Sequence, residues 1–256
     1  MVVLPFLPLR RPWWALRVRR NIDAMTITFI TGANKSLGYE TARRLIELGH
    51  TVLLGARDPE RGARAADALG ARFVPIDVTD DASVAAAAAN VVGHEGRIDV
   101  LINNAGVNGP AVAPDELTGA DALGVFDTNV FGVIRTTTAF LPLLRKSADP
   151  VIVNVSSGMG SLEHTHDPAR AESKIVSPLY TASKAALTML TTQYAKGLPD
   201  IRVNAADPGY TATDFNRHSG PQTVTEGTDA VVALATEKPG SGSGRIVDRH
   251  GEISWS

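Results

Sequence analysis

Cysteine is absent from all 256 residues, which excludes disulfides, a thiolate nucleophile and cysteine-ligated zinc. Long hydrophobic runs are missing too: no stretch reaches the roughly 18 apolar residues that a membrane-spanning helix needs. Net charge is small, −2, which argues against nucleic acid or an anionic membrane as the main partner. The chain shows no internal repeat and no domain linker. These absences fit a cytoplasmic protein with a small-molecule ligand.

With 44% hydrophobic and 20% charged residues, the composition is that of a soluble globular protein able to bury a sizeable core. The length suits a single domain. Residues 1–24 stand apart: Arg10, Arg11, Arg17, Arg19 and Arg20 accompany Trp13 and Trp14, with little helical or strand periodicity. They lack the apolar core and small-residue end of a signal peptide and are expected to be a disordered basic extension. A basic, tryptophan-bearing interfacial anchor is the sharper alternative. Without this segment's five arginines and Asp23, residues 25–256 carry 20 basic and 26 acidic side chains, a net −6.

From residue 26 onward, short β-branched runs alternate with amphipathic, alanine-rich stretches. Strands are expected at 26–31, 51–54, 72–76, 99–102, 151–155, 201–205 and 244–247. Helices are expected at 37–48, 59–69, from Asp80 or Asp81 to 92, and at 122–144, 179–198 and 224–235. Apolar runs without polar alternation indicate strands covered on both faces. The β–α alternation then gives an α/β fold, a Rossmann-type doubly wound parallel sheet in one domain, residues 25–256. Such sheets bind ligands at the carboxyl ends of their strands, and the polar motifs of this chain fall just past the strands.

The first strand runs into Thr31-Gly32-Ala33-Asn34-Lys35-Ser36-Leu37-Gly38 ahead of a helix. A diphosphate needs such a turn, with bare backbone N–H groups aimed at it from a helix N-terminus. Gly32 permits the tight turn, and Gly38 lets the helix pack close to the sheet. At this place Thr-Gly-x-x-x-Gly-x-Gly resembles the short-chain dehydrogenase/reductases, with one departure: Ser36 stands where the middle glycine is usual. The resemblance extends over roughly residues 26–250 and implies a nicotinamide dinucleotide cofactor.

An NAD-specific Rossmann fold places an acid at the end of the second strand. Here Ala56 holds that place and Arg57 follows, a guanidinium suited to a 2′-phosphate, with Lys35 able to add a second positive charge. The expected cofactor is therefore NADP(H), as in the carbonyl-reductase-like members that the Asn34-Lys35 pair and Arg57 resemble. The alternative is that both cations are solvated surface groups. By the same resemblance Asp77 and Val78 contact adenine, and Asn104-Ala105-Gly106, within Asn-Asn-Ala-Gly, borders the adenosine ribose. Asp77 read alone is equally a helix cap.

Tyr180 and Lys184 stand at i and i+4 at the start of the long 179–198 helix, on one face about one turn apart. A free phenol titrates near pH 10, and a fixed cation beside it favours the phenolate. The resemblance makes Tyr180 the acid/base and maps the family serine of Ser-x-x-Gly onto Ser157, which orients the substrate oxygen. Asn129 becomes the active-site asparagine, linking Lys184 to solvent through a water. Pro208, Gly209, Thr211 and Thr213 face the nicotinamide and diphosphate, and residues 215–223 form a candidate lid.

Ser157 and Tyr180 are 23 residues apart, more than in compact family members. The surplus, residues 163–177, holds His164, His166 and Asp167 and reads as a solvated loop, with no metal site expected. Homodimer, homotetramer and monomer all stay open. The expected function is interconversion of a carbonyl and an alcohol by hydride transfer, on a modest, mostly uncharged substrate. A catalytically silent, nucleotide-sensing protein of the same fold is the alternative.

Overall fold

The computed structural model describes residues 25–254, so the expected basic extension at 1–24 lies outside the described residues. In chain order the elements are β1 (Ile27–Ile30), α1 (Ser36–Glu47), β2 (Thr51–Ala56), α2 (Pro59–Leu69), β3 (Arg72–Pro75), α3 (Asp81–His94), β4 (Val100–Asn103), α4 (Gly119–Phe126), α5 (Gly132–Leu144) and β5 (Val151–Val155). Then follow α6 (Leu162–His166), α7 (Pro178–Gly197), β6 (Arg202–Ala206), α8 (Val224–Gly227), α9 (Asp229–Thr236), β7 (Ile246–Asp248) and β8 (Gly251–Glu252). One sheet runs β3-β2-β1-β4-β5-β6-β7-β8, parallel except for the final β7–β8 pair. Strand order reverses between β1 and β4, where Phe29 pairs with Leu53 on one side and Leu101 on the other.

Successive strand residues feed opposite faces. Ile30, Leu54, Ile102 and Val153 pack with Leu45 of α1 and with Val231 and Leu234 of α9. Phe29, Leu53, Leu101 and Ile152 pack with Val91 of α3 and with Phe140 and Leu143 of α5. Phe29 and Phe140 meet with ring centroids 4.4 Å apart. Both faces are thus dry, as the unalternating strands indicated. Caps follow the sequence as well: Asp58 accepts from Arg61 N and Asp80 from Ala82 N, and Gly70 takes a left-handed conformation to end α2.

Four elements depart from expectation. The single helix expected at 122–144 is interrupted by a π-turn over Asp127–Phe131, which contains Asn129. The helix expected at 224–235 breaks at Thr228, because the carbonyl of Thr225 is taken by Arg44 Nη1 at 2.8 Å. The loop expected at 163–177 contains most of α6, whose start is capped by the Ser161 hydroxyl. Strand β8 was not anticipated; an Asp248 carboxylate accepting from His250 N and Gly251 N turns the chain back in too few residues to leave a periodic signal. Among the described residues no helix is long and apolar enough to cross a membrane.

One ion pair joins the first and last helices. Arg44 Nη1 lies 2.9 Å from Asp229 Oδ1, both side chains about nine-tenths buried, and also reaches the Thr228 hydroxyl at 2.7 Å. Removing one partner strands the other charge in the protein interior. Asp229→Ala should therefore lower unfolding free energy by roughly 3 kcal/mol in urea titrations, and a loss within error would show that the guanidinium finds water instead.

Candidate active site

Every candidate residue except Asn129 lines one cavity of about 670 Å³ at the carboxyl ends of the strands. Its floor at the β1–α1 turn is built by contact with the β4 loop. Asn104 Nδ2 donates to the carbonyls of Thr31 and Gly32 at 2.9 and 3.1 Å, while Thr31 Oγ1 accepts from Asn104 N and Ala105 N, both at 3.0 Å. Gly32 has φ +64 and lies so near Ala105 that a Cβ would come within 3.0 Å of its Cα. At Gly38 a Cβ would stand 2.6 Å from the Gly32 carbonyl oxygen, so this helix can approach the turn only through glycine. No side chain caps α1, and its first turn carries no acid, leaving its leading N–H groups and positive dipole end for an anion.

Ser36 adopts φ +54, the left-handed conformation that the usual glycine would take freely. The departure from the motif therefore keeps the turn's shape and stores strain in it. Arg57, exposed at the end of β2, faces the same cavity without an acid before it. Lys35 is otherwise engaged: its Nζ lies 3.0 Å from Asp214, both side chains more than half exposed. A phosphate contact from Lys35 requires exchanging that partner. Asp77 is no helix cap; its carboxylate accepts from Thr79 N and Oγ1 at 3.0 and 2.8 Å. Burial pushes its carboxyl up, but Thr79 and the nearby Arg57 and Arg135 outweigh this and hold it below the ordinary value.

At the other end, Tyr180 and Lys184 point into the cavity from the start of α7; Ser157, just past the end of β5, lines the same cavity, its hydroxyl accepting from Met159 N at 3.2 Å and favouring the ionised form of the nearby phenol. Lys184 is 5% exposed; its Nζ donates to the Val155 carbonyl at 2.8 Å and sits 5.6 Å from the Tyr180 ring centroid. Burial draws the ammonium down to about 8, with the Asp207 carboxylate acting in the opposite sense. The phenol was expected to become more acidic beside this lysine. Instead burial raises it to about 12, Ser157 pulling it down and Asp207 adding to the rise. The lysine's charge is directed to a backbone carbonyl rather than to the phenol.

Asn129 stands behind the cavity wall, 1% exposed. The π-turn aims its amide at Val107: Oδ1 accepts from Val107 N at 2.8 Å, and Nδ2 donates to Val107 O and to the Ser183 hydroxyl, each at 2.9 Å. A Cβ on Gly106 would lie 3.4 Å from Asn129 Oδ1 and 3.8 Å from Lys184 Nζ, so only a glycine separates amide from ammonium. Thr211 and Thr213 are buried, and the 210–223 segment is folded on itself, Ala212 N donating to Gln222 O at 2.8 Å. From it Phe215 leans on Tyr180 with centroids 5.4 Å apart. Val107, Val112, Ile175, Val176 and Phe215 give the space near the phenol an apolar wall.

Asp207 carries no expected role and proves central. It is 3% exposed, accepts from Gly209 N at 2.9 Å and lies against Gly158, where a Cβ would stand 2.9 Å from its Oδ2, so the turn after β5 meets the turn after β6 here. Burial raises its carboxyl above the ordinary value against the pull of the Gly209 and Gly158 N–H groups. An acid before Pro-Gly reads in sequence as turn chemistry, which hid it. His164, expected in a solvated loop, is buried beside Asp207 on the inner side of α6, while His166 is exposed and bonds Leu162 O. The His-x-His pair therefore does not converge, as i and i+2 on a helix cannot.

The strained Ser36 gives a direct check on the turn. Replacing a left-handed serine by glycine removes a cost of about 1–2 kcal/mol and adds unfolded-chain entropy of about 0.4–1 kcal/mol. Ser36→Gly should therefore raise the melting temperature by roughly 2 °C in calorimetry, and a decrease would mean that the serine hydroxyl holds the turn.

Comparison with known proteins agrees with this geometry. The family model described as short chain dehydrogenase matches residues 26–223. A short-chain dehydrogenase of Penicillium roqueforti is 37% identical over 90% of this chain and 97% of its own length. (−)-Isopiperitenone reductase of Mentha piperita is 33% identical over 89% of this chain and 97% of its own. The crystal structure of NADPH-bound carbonyl reductase from chicken fatty liver superposes with a TM-score of 0.82 at 29% identity, covering 90% of this chain and 99% of that one. The chain belongs to the short-chain dehydrogenase family of oxidoreductases.

Proposed function

We propose that the protein is an NADP(H)-dependent reductase of an uncharged carbonyl compound, with Tyr180 as the proton donor. The observation that carries this reading is the convergence of Ser157, Tyr180 and a buried Lys184 at one end of a cavity whose other end is the uncapped start of α1. The residues at that end fit a phosphorylated dinucleotide: helix N–H groups without a side-chain cap, Arg57 at the end of β2, and Ala56 where an NAD-binding acid would stand. When bound, the reduced nicotinamide supplies the hydride.

The chain's own part is positional and protonic. Ser157 and Tyr180 fix the substrate oxygen between two hydroxyls. As negative charge grows on that oxygen, the phenol gives up its proton and the serine hydroxyl donates to it. A phenol raised to about 12 is fully protonated at neutral pH, the state that donation, hence reduction, requires. Lys184 holds its charge at the cavity floor, and Asn129, a glycine's breadth away, lies on the route by which the phenol recovers a proton. The apolar wall from Val107 to Phe215 suits an uncharged substrate and keeps water from the reacting atoms. A silent nucleotide sensor has no use for a protonated phenol paired with a serine, so turnover is the preferred reading.

Two substitutions test it separately. Tyr180→Phe should cut NADPH-dependent reduction of an aldehyde and ketone panel by roughly 10²–10⁴-fold, with NADPH affinity by fluorescence titration almost unchanged. Retained turnover would overturn the role of the phenol. Arg57→Ala should weaken NADPH binding by roughly 10–100-fold, the loss of charge-assisted bonds to a 2′-phosphate, while leaving NADH affinity within about twofold. Equal losses for both nucleotides would refute that contact.

A further inference from the structure

One group of side chains converges without a purpose in the proposed reaction. His164 from α6, Glu172 from the turn after it and Asp207 from the end of β6 each offer one ligand atom, and these atoms all lie within 4.8 Å of one another. They surround Gly158: a Cβ there would stand 2.6 Å from Glu172 Oε1, 2.9 Å from Asp207 Oδ2 and 3.0 Å from His164 Nδ1. Only a glycine leaves this space open. His164 is 94% buried by its 6% exposure, yet among the described residues nothing hydrogen-bonds its Nδ1, although that atom belongs to the converging group. An unpartnered polar atom in such a place is costly unless a ligand completes it.

We propose that His164, Glu172 and Asp207 form a binding site for a divalent transition-metal ion of the zinc type. The donor set is one imidazole nitrogen and two carboxylate oxygens, a mixture that suits zinc and its neighbours. With the ring proton on Nε2, Nδ1 and the two carboxylate oxygens are all acceptors. A cation satisfies three acceptors together, whereas one water molecule has two hydrogens to give. Charge favours the same occupant. Glu172, Asp207 and Asp248 act on one another or on their neighbours against Arg170 and Lys184, so three carboxylates face two cations before any ion enters. Arg170 Nη2 holds Glu172 Oε1 at 3.1 Å from behind, the kind of outer support that orients a ligating carboxylate.

The ion's role follows from where its ligands originate. His164 and Glu172 belong to the segment between β5 and α7, and Asp207 to the sheet. A shared ion ties that segment to the sheet directly beneath the Ser157-Gly158 turn. Glu172 and Asp207 also line the main cavity, so an ion held there would sit at its border.

The test uses the full-length protein stripped with chelator and desalted. Zn²⁺ alone is titrated by calorimetry, ions retained after desalting are counted by mass spectrometry, and Co²⁺ is added separately to read its visible absorption. The expected result is one retained ion per chain and a tetrahedral Co²⁺ spectrum. His164→Ala and Glu172→Gln should each weaken binding by roughly 100-fold or more, since even supporting residues of metal sites cost 10–100-fold, and His166→Ala should leave it unchanged. Circular dichroism establishes that each variant is folded, and Glu172→Gln, on a partly exposed turn, keeps the test open if His164→Ala does not fold. No retained ion, or affinity unmoved by His164→Ala and Glu172→Gln, overturns the site and assigns the space to a buried water. Loss in His166→Ala equal to that in His164→Ala overturns it in favour of surface adsorption. None of these readouts requires turnover, so they stand or fall apart from the reductase reading.

Discussion

A buried ammonium must be hydrogen-bonded or it will not stay charged, and that requirement organises the reactive end of this molecule. Lys184 meets it through the Val155 carbonyl, the last acceptor of β5. That bond fixes α7 against the end of the strand, and the next residues of the same strand end present Ser156 and Ser157. Ser156 bonds the Lys184 carbonyl and the Thr188 hydroxyl, closing α7 onto the turn from the other side. Gly160 packs so tightly on the backbone of Lys184 that a Cβ would fall 2.7 Å from its carbonyl carbon. The separation of Ser157 from Tyr180 is thus set by packing, not by the length of the segment that joins them in sequence.

The nucleotide end is set by a comparable constraint on backbone groups. Where strand order reverses, the carbonyls of Thr31 and Gly32 leave the sheet without strand partners and would be orphaned. The Asn104 amide takes both, and Thr31 returns a hydroxyl to two N–H groups of the β4 loop. The two loops that border the cleft therefore stabilise each other before any ligand arrives. Preorganisation of this kind lowers the cost of fixing a flexible dinucleotide.

Sheet, helices and the positions of the main motifs were legible because each rests on local pattern. β5 reads as Val-Ile-Val-Asn-Val, four apolar residues around one asparagine, and the observed strand has those bounds; α2 likewise runs from Pro59 to Leu69 as its capping residues Asp58 and Gly70 indicate. What sequence pattern could not show depends on distant partners. The π-turn at Asn129 exists because Val107 and Ser183 hold its amide, and no spacing within 122–144 announces that. The break at Thr228 depends on an arginine 184 positions earlier. The phenol's shift reversed expectation because i,i+4 spacing reports closeness alone, while burial of the phenol and the approach of Asp207 are tertiary.

Asp207 shows how these distant dependencies bind one another. An acid at 3% exposure costs several kcal/mol in desolvation unless charges and donors surround it. The Gly209 N–H and Lys184 supply part of that compensation from the sheet end itself, where the turns at Gly158 and Gly209 meet. The segment between β5 and α7 brings Arg170 near the carboxylate, and with it Glu172, whose charge opposes Asp207. The long segment and the buried acid are therefore two halves of one electrostatic arrangement. Deleting the segment would remove Arg170 and Glu172 together from beside Asp207; a neutral residue at 207 would leave Arg170 paired with Glu172 and take one acceptor from the space at Gly158. Their coexistence in this chain is what the buried charge demands.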